Sequence, residues 1–310
     1  MKHKVVLIAI AAFALLALVP AQTFAQQNKN GLSITPLTFD FSLKPGESKT
    51  DTLYLTNLST VSMDIQTDAR NFLAEGEEGS VLLTKEAGAY ALSTWITVSP
   101  NKITISPKEK IPFKFAINVP DNPEPGGHFG AVIFSTVTNK SELKQTGAVV
   151  SQEIGALVFI KTPGDIKEKA DIESFKSDFP FYEFGPIDFT ARVKNDSTIH
   201  IRPTGTITIT DMLGKKEIVE IETKNILPGA IRRIPARWNK NILFGKYSAS
   251  IRLTYGSKSE VLTAQTSFWA FPIRWALIAL AILAVIIIIN TLFILFFIRM
   301  GQRKAKAKKE

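Results

Sequence analysis

The 310-residue sequence contains no cysteine. Disulfides, thiol nucleophiles, iron-sulfur clusters and cysteine-ligated zinc are therefore excluded, and each folded unit must rest on its own apolar core. Histidine is almost as scarce: beyond His3, only His128 and His200 occur. They lie far apart in the chain, which argues against a histidine metal centre or a Ser/His/Asp triad within one unit. Phosphate loops of the Walker or dinucleotide type are missing too. Gly126, Gly127 and Gly130 precede a strand pattern and open no helix.

Charge is absent from residues 275–298, a run bounded by Arg274 and Arg299 and broken in polarity only by Asn290 and Thr291. A bilayer core needs about 20 such residues in a helix, so the sequence predicts a transmembrane helix over 273–298. Arg299, Arg303, Lys304, Lys306, Lys308 and Lys309 make 299–310 a basic tail, which belongs on the cytoplasmic side, while Trp269, Phe271 and Trp275 suit the opposite lipid-water boundary. At the other end, Lys2, His3 and Lys4 precede an apolar run and then Thr23-Phe24-Ala25, the pattern of a signal peptide over 1–25. An uncleaved first anchor is the alternative. Both place residues 28–268 outside a cell membrane.

The formal net charge of +9 then describes topology. Lys2 and Lys4 carry two of these charges and the segment from Arg274 onward a net six, so about one is left for the exported part. Nucleic-acid binding loses its support, because no basic stripe with interleaved aromatics occurs there. Divided after Asp165, the exported part carries −3 and then +4, a polarity available to partners.

Period-two alternation dominates the exported part. Residues 33–41 read as one strand. A turn at Lys44-Pro45-Gly46-Glu47 leads into a second at 51–57, and further runs follow at 63–69, 95–98, 102–106, 111–119, 130–137 and 149–161. Residues 72–92 break the pattern and read as an exposed excursion, acidic and glycine-rich at first and helix-friendly at 85–90. Glu75, Glu77 and Glu78 bring three carboxylates together there, yet they lack the spacing of a calcium loop, so a solvated loop is expected. After Pro163-Gly164-Asp165, seven alternating runs fill the stretch to residue 269, the count for one immunoglobulin-like sandwich. The expected fold is all-β: two tandem immunoglobulin-like β-sandwiches, 28–165 and 166–268, followed by one transmembrane helix.

Three stretches carry a family resemblance. They are Phe41-Ser42-Leu43-Lys44-Pro45-Gly46-Glu47-Ser48 leading into Leu53-Tyr54-Leu55-Thr56-Asn57; Trp95-Ile96-Thr97-Val98-Ser99-Pro100 with Ile103-Thr104-Ile105-Ser106-Pro107; and Val119-Pro120 with Pro125-Gly126-Gly127-His128-Phe129-Gly130. Over roughly 31–162 the chain resembles the WxL-interacting cell-surface proteins of Gram-positive bacteria. In that family a signal peptide, a peptidoglycan-binding sandwich, a second sandwich, one span and a basic tail follow one another. The resemblance extends more thinly to Ile226-Leu227-Pro228-Gly229 and Phe244-Gly245-Lys246-Tyr247. It implies attachment to peptidoglycan and to a surface protein, and supplies no set of binding residues.

Binding candidates come from the residues themselves. Gly126, Gly127, His128 and Phe129 read as a strand-entry turn with an exposed ring or as a ligand contact. Aromatic faces stack on sugar rings and peptides. Trp95 reads as core, whereas Trp238, after Arg232, Arg233 and Arg237, reads either as core or as an exposed platform. The aromatic run Phe179-Pro180-Phe181-Tyr182-Glu183-Phe184 either plugs a sandwich end or forms an apolar contact patch. No acid lies in a motif that marks a glycosidase. The sequence therefore points to a non-enzymatic, membrane-anchored surface adaptor without cofactor, metal or small-molecule substrate, which binds cell-wall polymer, a surface protein, or both. The alternative is an accessory subunit of a membrane transport or secretion complex. Ala276, Ala279, Ala281, Ala284 and Asn290 would permit helix packing there.

Overall fold

The computed structural model describes residues 31–86, 88, 90–137 and 152–306. The signal peptide expected at 1–25 and the last lysines of the tail lie outside them. The described residues up to Ala270 are all-β, two tandem immunoglobulin-like sandwiches, and one apolar helix follows.

Residues 33–41 form two strands instead of the single one expected. β1 (Leu32–Thr35) pairs with β3 (Ser48–Asn57), and β2 (Thr38–Ser42) runs parallel to β10 (Glu153–Thr162) in the facing sheet. Pro36, which has no N–H to give a ladder, lies where the chain steps between sheets. One sheet has the order β1-β3-β8-β6, with β8 at Lys110–Asn118 and β6 at Ile96–Val98. The other has the order β2-β10-β9-β4-β5, with β9 at Gly126–Thr136, β4 at Met63–Glu75 and β5 at Ser80–Thr84, and β7 (Lys102–Ile105) also pairs with β4. Leu53, Leu55, Phe113, Phe115 and Ile117 from the first sheet meet Val132, Phe134, Val158 and Ile160 from the second.

β9 and β10 are buried on both faces. Their even-numbered residues 132, 134, 158 and 160 enter the sandwich core, while Phe129, Ala131, Ile133 and Phe159 join Phe72 and Leu227 in a separate cluster outside it. A strand covered on both sides reads as a continuous apolar run, as Ala131-Val132-Ile133-Phe134 and Ala156-Leu157-Val158-Phe159-Ile160 do. Leu227 belongs to the second sandwich, so this cluster joins the two.

The expected excursion at 72–92 is largely a hairpin: β4 continues to Glu75 and pairs with β5 through Asn71↔Thr84 to Glu75↔Ser80. Gly76 and Gly79, both at positive φ, close it. Among the described residues of 85–90 there is no helix.

In the second sandwich, β11 (Ala170–Ser177), β13 (Ile187–Asn195) and β16 (Ile231–Trp238) form one sheet. β12 (Phe181–Tyr182), β18 (Glu260–Ala270), β17 (Gly245–Tyr255), β14 (Thr204–Asp211) and β15 (Lys216–Glu220) form the other in that order. β13 is buried at alternate residues along its whole length. Phe189, Trp238, Tyr247, Ile251 and Phe268 fill the core.

Both sandwiches close a strand with the same asparagine device. At the end of β3, the fully buried Asn57 donates its amide to the carbonyls of Val61, Ile105 and Ser106 and accepts from the N–H of Ser59. At the end of β13, the fully buried Asn195 donates to Ile199 and Ile226 and accepts from Ser197. The helix α1 (Ile273–Lys306) begins just after β18, and its residues Ile273–Leu295, with a mean hydropathy of 3.0, are long and apolar enough to cross a membrane.

Candidate functional site

The two sandwiches meet through an apolar seam flanked by polar contacts, and a cleft opens beside it. At the seam, Gly127 N–H donates to the Thr198 carbonyl at 2.9 Å. A Cβ on Gly126 would lie 2.9 Å from the same oxygen, and Gly126 holds φ +124°. Only glycine permits that approach. Phe129 and Phe159 place their rings 5.8 and 4.9 Å from the His200 ring, and Leu227 and Ala230 pack on the same cluster.

On one flank, the β4–β5 hairpin reaches the edge strand β16. Arg233 N–H donates to the Glu77 carbonyl. The Glu77 carboxylate takes two hydrogen bonds from Arg192, at 2.8 and 2.5 Å, and lies 3.3 Å from Arg233. Glu78 accepts from Arg233 at 3.1 Å, and Glu173 holds the other side of Arg192 at 3.0 Å. The hydrogen bond from Arg192 holds the Glu77 carboxyl below its ordinary value. Glu77 and Glu78 are therefore the fastening of a clasp and not members of a solvated loop as expected, whereas Glu75 is exposed. The −3 and +4 charges of the two halves meet within the molecule.

On the other flank, His200 and Asp40 lie 2.9 Å apart, Nε2 to Oδ2. Burial raises the Asp40 carboxyl, but the hydrogen bond and charge of His200, with the charges of Lys161 and Arg202, outweigh it and leave the group below its ordinary value.

The sequence-predicted candidates lie in this seam or in a core. Gly126, Gly127, His128 and Phe129 are buried in β9. His128 is 3% exposed, with its ring 4.2 Å from Trp95 and its Nε2 2.9 Å from the Glu124 carbonyl, so the exposed ring expected there is corrected. Gly126, Gly127 and Phe129 serve the contact between sandwiches, and a ligand reaches none of the four from outside. Trp238 is core, not platform: it packs on Tyr247 and Phe268, and its Nε1–H donates to Glu217 at 2.9 Å. The register of β16 turns this residue inward beside Ile234. Trp95 is partly buried against the first core.

The cleft was not anticipated. It has a volume of about 760 Å³, and its walls come from both sandwiches, with Lys44 and Lys161 on one side and Arg202 and Lys258 on the other. Its two acids are engaged: Glu168 accepts from the N–H and Oγ of Ser257, both at 2.8 Å, and Glu260 accepts from the Tyr255 hydroxyl at 2.8 Å. None of the four cations forms a salt bridge among the described residues. Among the described residues, Arg202 donates only to the Thr223 hydroxyl. Lys161 and Arg202 also act on the nearby Asp40 carboxylate, and the two hydrogen-bonded acids keep their charge. Four cations against two lining acids still leave a concave surface with a positive excess, which favours an anionic group. No sequence motif marks it, because its residues come from segments more than 200 positions apart. Among the described residues, no group of three or more His, Asp or Glu side chains could hold a metal.

No protein-family model matches the chain, and no curated protein sequence matches it. Several solved structures do. A class 5 fimbriae chaperone, CfaA, matches at 14% identity and a TM-score of 0.40, covering 77% of this chain and 99% of its own. The E. coli chaperone DraB matches at 14% and 0.36, covering 78% and 98%. A chaperone-tip adhesion subunit complex, CsuC-CsuE of Acinetobacter baumannii, matches at 11% and 0.37, covering 78% and 99%. At these scores none of the likenesses bears on function.

Proposed function

We propose that this protein is a non-enzymatic adaptor anchored in a cell membrane by α1, which holds an anionic group of a surface partner in the cleft between its two sandwiches. The observation that carries the reading is the set of Lys44, Lys161, Arg202 and Lys258, none of them in a salt bridge among the described residues, around one cleft lined by only two acids. The clasp and the seam fix the cleft walls relative to one another, so a partner meets cations already in place and orders little on binding. The basic tail faces the cytoplasm and the sandwiches face out, as the excess of Arg and Lys after the span directs.

Two kinds of partner present such a group: anionic wall polymer, in line with the resemblance to the WxL-interacting proteins, and an acidic segment of a surface protein. Native-host walls, with and without their anionic polymers, separate the two in a sedimentation assay with the solubilised full-length protein. Polymer binding sediments with complete walls only, whereas a protein partner co-purifies from the membrane fraction. Either binding should fall at least tenfold in Lys161→Glu with Arg202→Glu, since each reversal places a repulsive charge at the ligand. Binding that is unchanged by both reversals, or by raised salt, sinks the cleft assignment. Asn290 gives its amide to the Ile286 carbonyl of its own helix at 3.0 Å, so it supplies no observation in favour of a transport-complex subunit.

A further inference from the structure

The end of the second sandwich from which α1 emerges carries an apolar rim. Four segments converge there. The β14–β15 turn brings Met212 and Leu213, the loop before β17 brings Ile242 and Phe244, the loop around β12 brings Phe179, Phe181 and Phe184, and the end of β18 brings Trp269 and Phe271. Their convergence is shown by contacts. A Cβ on Gly245 would lie 2.3 Å from the Met212 sulfur, the Phe244 and Phe271 rings are 5.3 Å apart, and Phe181 pairs with Trp269. Leu213 is 88% exposed, Ile242 83% and Phe244 59%. The sequence alternatives for residues 179–184 resolve by residue. Tyr182 plugs the sandwich end, and the three phenylalanines face out.

Soluble surfaces rarely gather so many large apolar tips in one patch. What covers this one follows from its continuity with the helix. α1 starts three residues after β18 ends, and Arg274 in its first turn is bound to Glu183 of the β12 loop at 3.1 Å. The rim and the first helical turn are thus held at one level. The apolar part of α1 has 23 residues, about 35 Å at 1.5 Å per residue, against a hydrocarbon core of about 30 Å. Its first turn therefore lies among the lipid headgroups, with Trp269, Phe271 and Trp275 at the depth where aromatic belts sit. The rim reaches the same depth.

We infer that this rim is a lipid-docking surface, by which the second sandwich seats its loop tips in the outer headgroup layer. Lys246, exposed beside Trp269 across β17 and β18, adds the cationic flank typical of interfacial surfaces. Two kinds of attachment then act together: the helix holds the chain in the bilayer, and the rim sets the tilt of the sandwiches and the height of the cleft.

The inference rests on α1 spanning the bilayer, and one experiment separates the two. Because the chain has no cysteine, single cysteines can be placed at Leu213, Ile242, Leu283 and Thr60 of the full-length protein and carry an environment-sensitive fluorophore. The first two side chains are so exposed that folding does not depend on them. In vesicles of phosphatidylcholine and phosphatidylglycerol, the labels at 213 and 242 should shift to the blue. They should lose most of their emission to lipids spin-labelled near the headgroup, the label at 283 to lipids labelled deep in the chain, and the label at 60 to neither. Quenching at 283 with 213 and 242 behaving as 60 does would overturn the docking surface alone. Absence of quenching at 283 would overturn the membrane anchor and the docking surface with it.

Discussion

Glu77 at the tip of the β4–β5 hairpin grips Arg192 of the second sandwich with both carboxylate oxygens, across 115 positions of sequence. Paired, planar hydrogen bonds of this kind resist substitution better by shape than by charge. Glu77→Gln or Arg192→Lys should loosen the clasp while leaving both sandwiches folded. Hydrogen exchange should then rise in the 76–79 turn and at the Arg233 amide and stay unchanged in β13 and β17. Exchange that rises throughout the second sandwich would mean the pair supports its core instead.

Acid should open the seam before it melts the sandwiches. Asp40 and Glu77 both titrate below their ordinary values of 3.8 and 4.5 in the folded protein. A depressed carboxylate stabilises the state that binds it above its unfolded pKa, and that contribution is lost as pH falls through the folded value. From about pH 4.5 downward, limited proteolysis near residues 163–169 should accelerate while strand circular dichroism persists. Asp40→Asn should remove part of this acid dependence, and an identical pH profile in that variant would refute the role of Asp40.

Close approach at the seam depends on Gly126. An alanine there meets both an unfavourable φ of +124° and the Thr198 carbonyl at 2.9 Å, so Gly126→Ala should cost on the order of 1–3 kcal/mol. Denaturant titration reads the loss. Gly88→Ala, where a Cβ would meet nothing within 4 Å, serves as the neutral control.

Asn57 and Asn195 should each support one sandwich. Replacing either by alanine leaves buried carbonyls without their amide donor, at a cost on the order of 2–3 kcal/mol. If the two sandwiches unfold as separate transitions, calorimetry should show Asn57→Ala moving one transition and Asn195→Ala the other. A loss under 0.5 kcal/mol in both, about what an ordinary surface change produces, would show that water replaces the amides.

The sequence by itself determined the all-β class, the strand count of each sandwich to within one or two, and the helix after β18. These properties are local: alternation, turn residues and an uncharged run of sufficient length are written in neighbouring positions. It also contained signals whose meaning only pairing supplies. Asn57-Leu58-Ser59-Thr60-Val61 and Asn195-Asp196-Ser197-Thr198-Ile199 are visibly alike, but nothing local shows that both asparagines are buried and bonded to carbonyls of other strands. The continuous apolar runs of β9 and β10 announce burial on both faces without naming what covers the second one. Tertiary structure decided the rest. It set Glu77 against Arg192, turned His128 and Trp238 inward, and gathered Lys44, Lys161, Arg202 and Lys258 around one cleft. The reason is physical: whether a charge is paired, a ring buried or a glycine needed depends on the chain that arrives opposite it, from 21 positions away for Glu217 at Trp238 to 160 for Asp40 at His200.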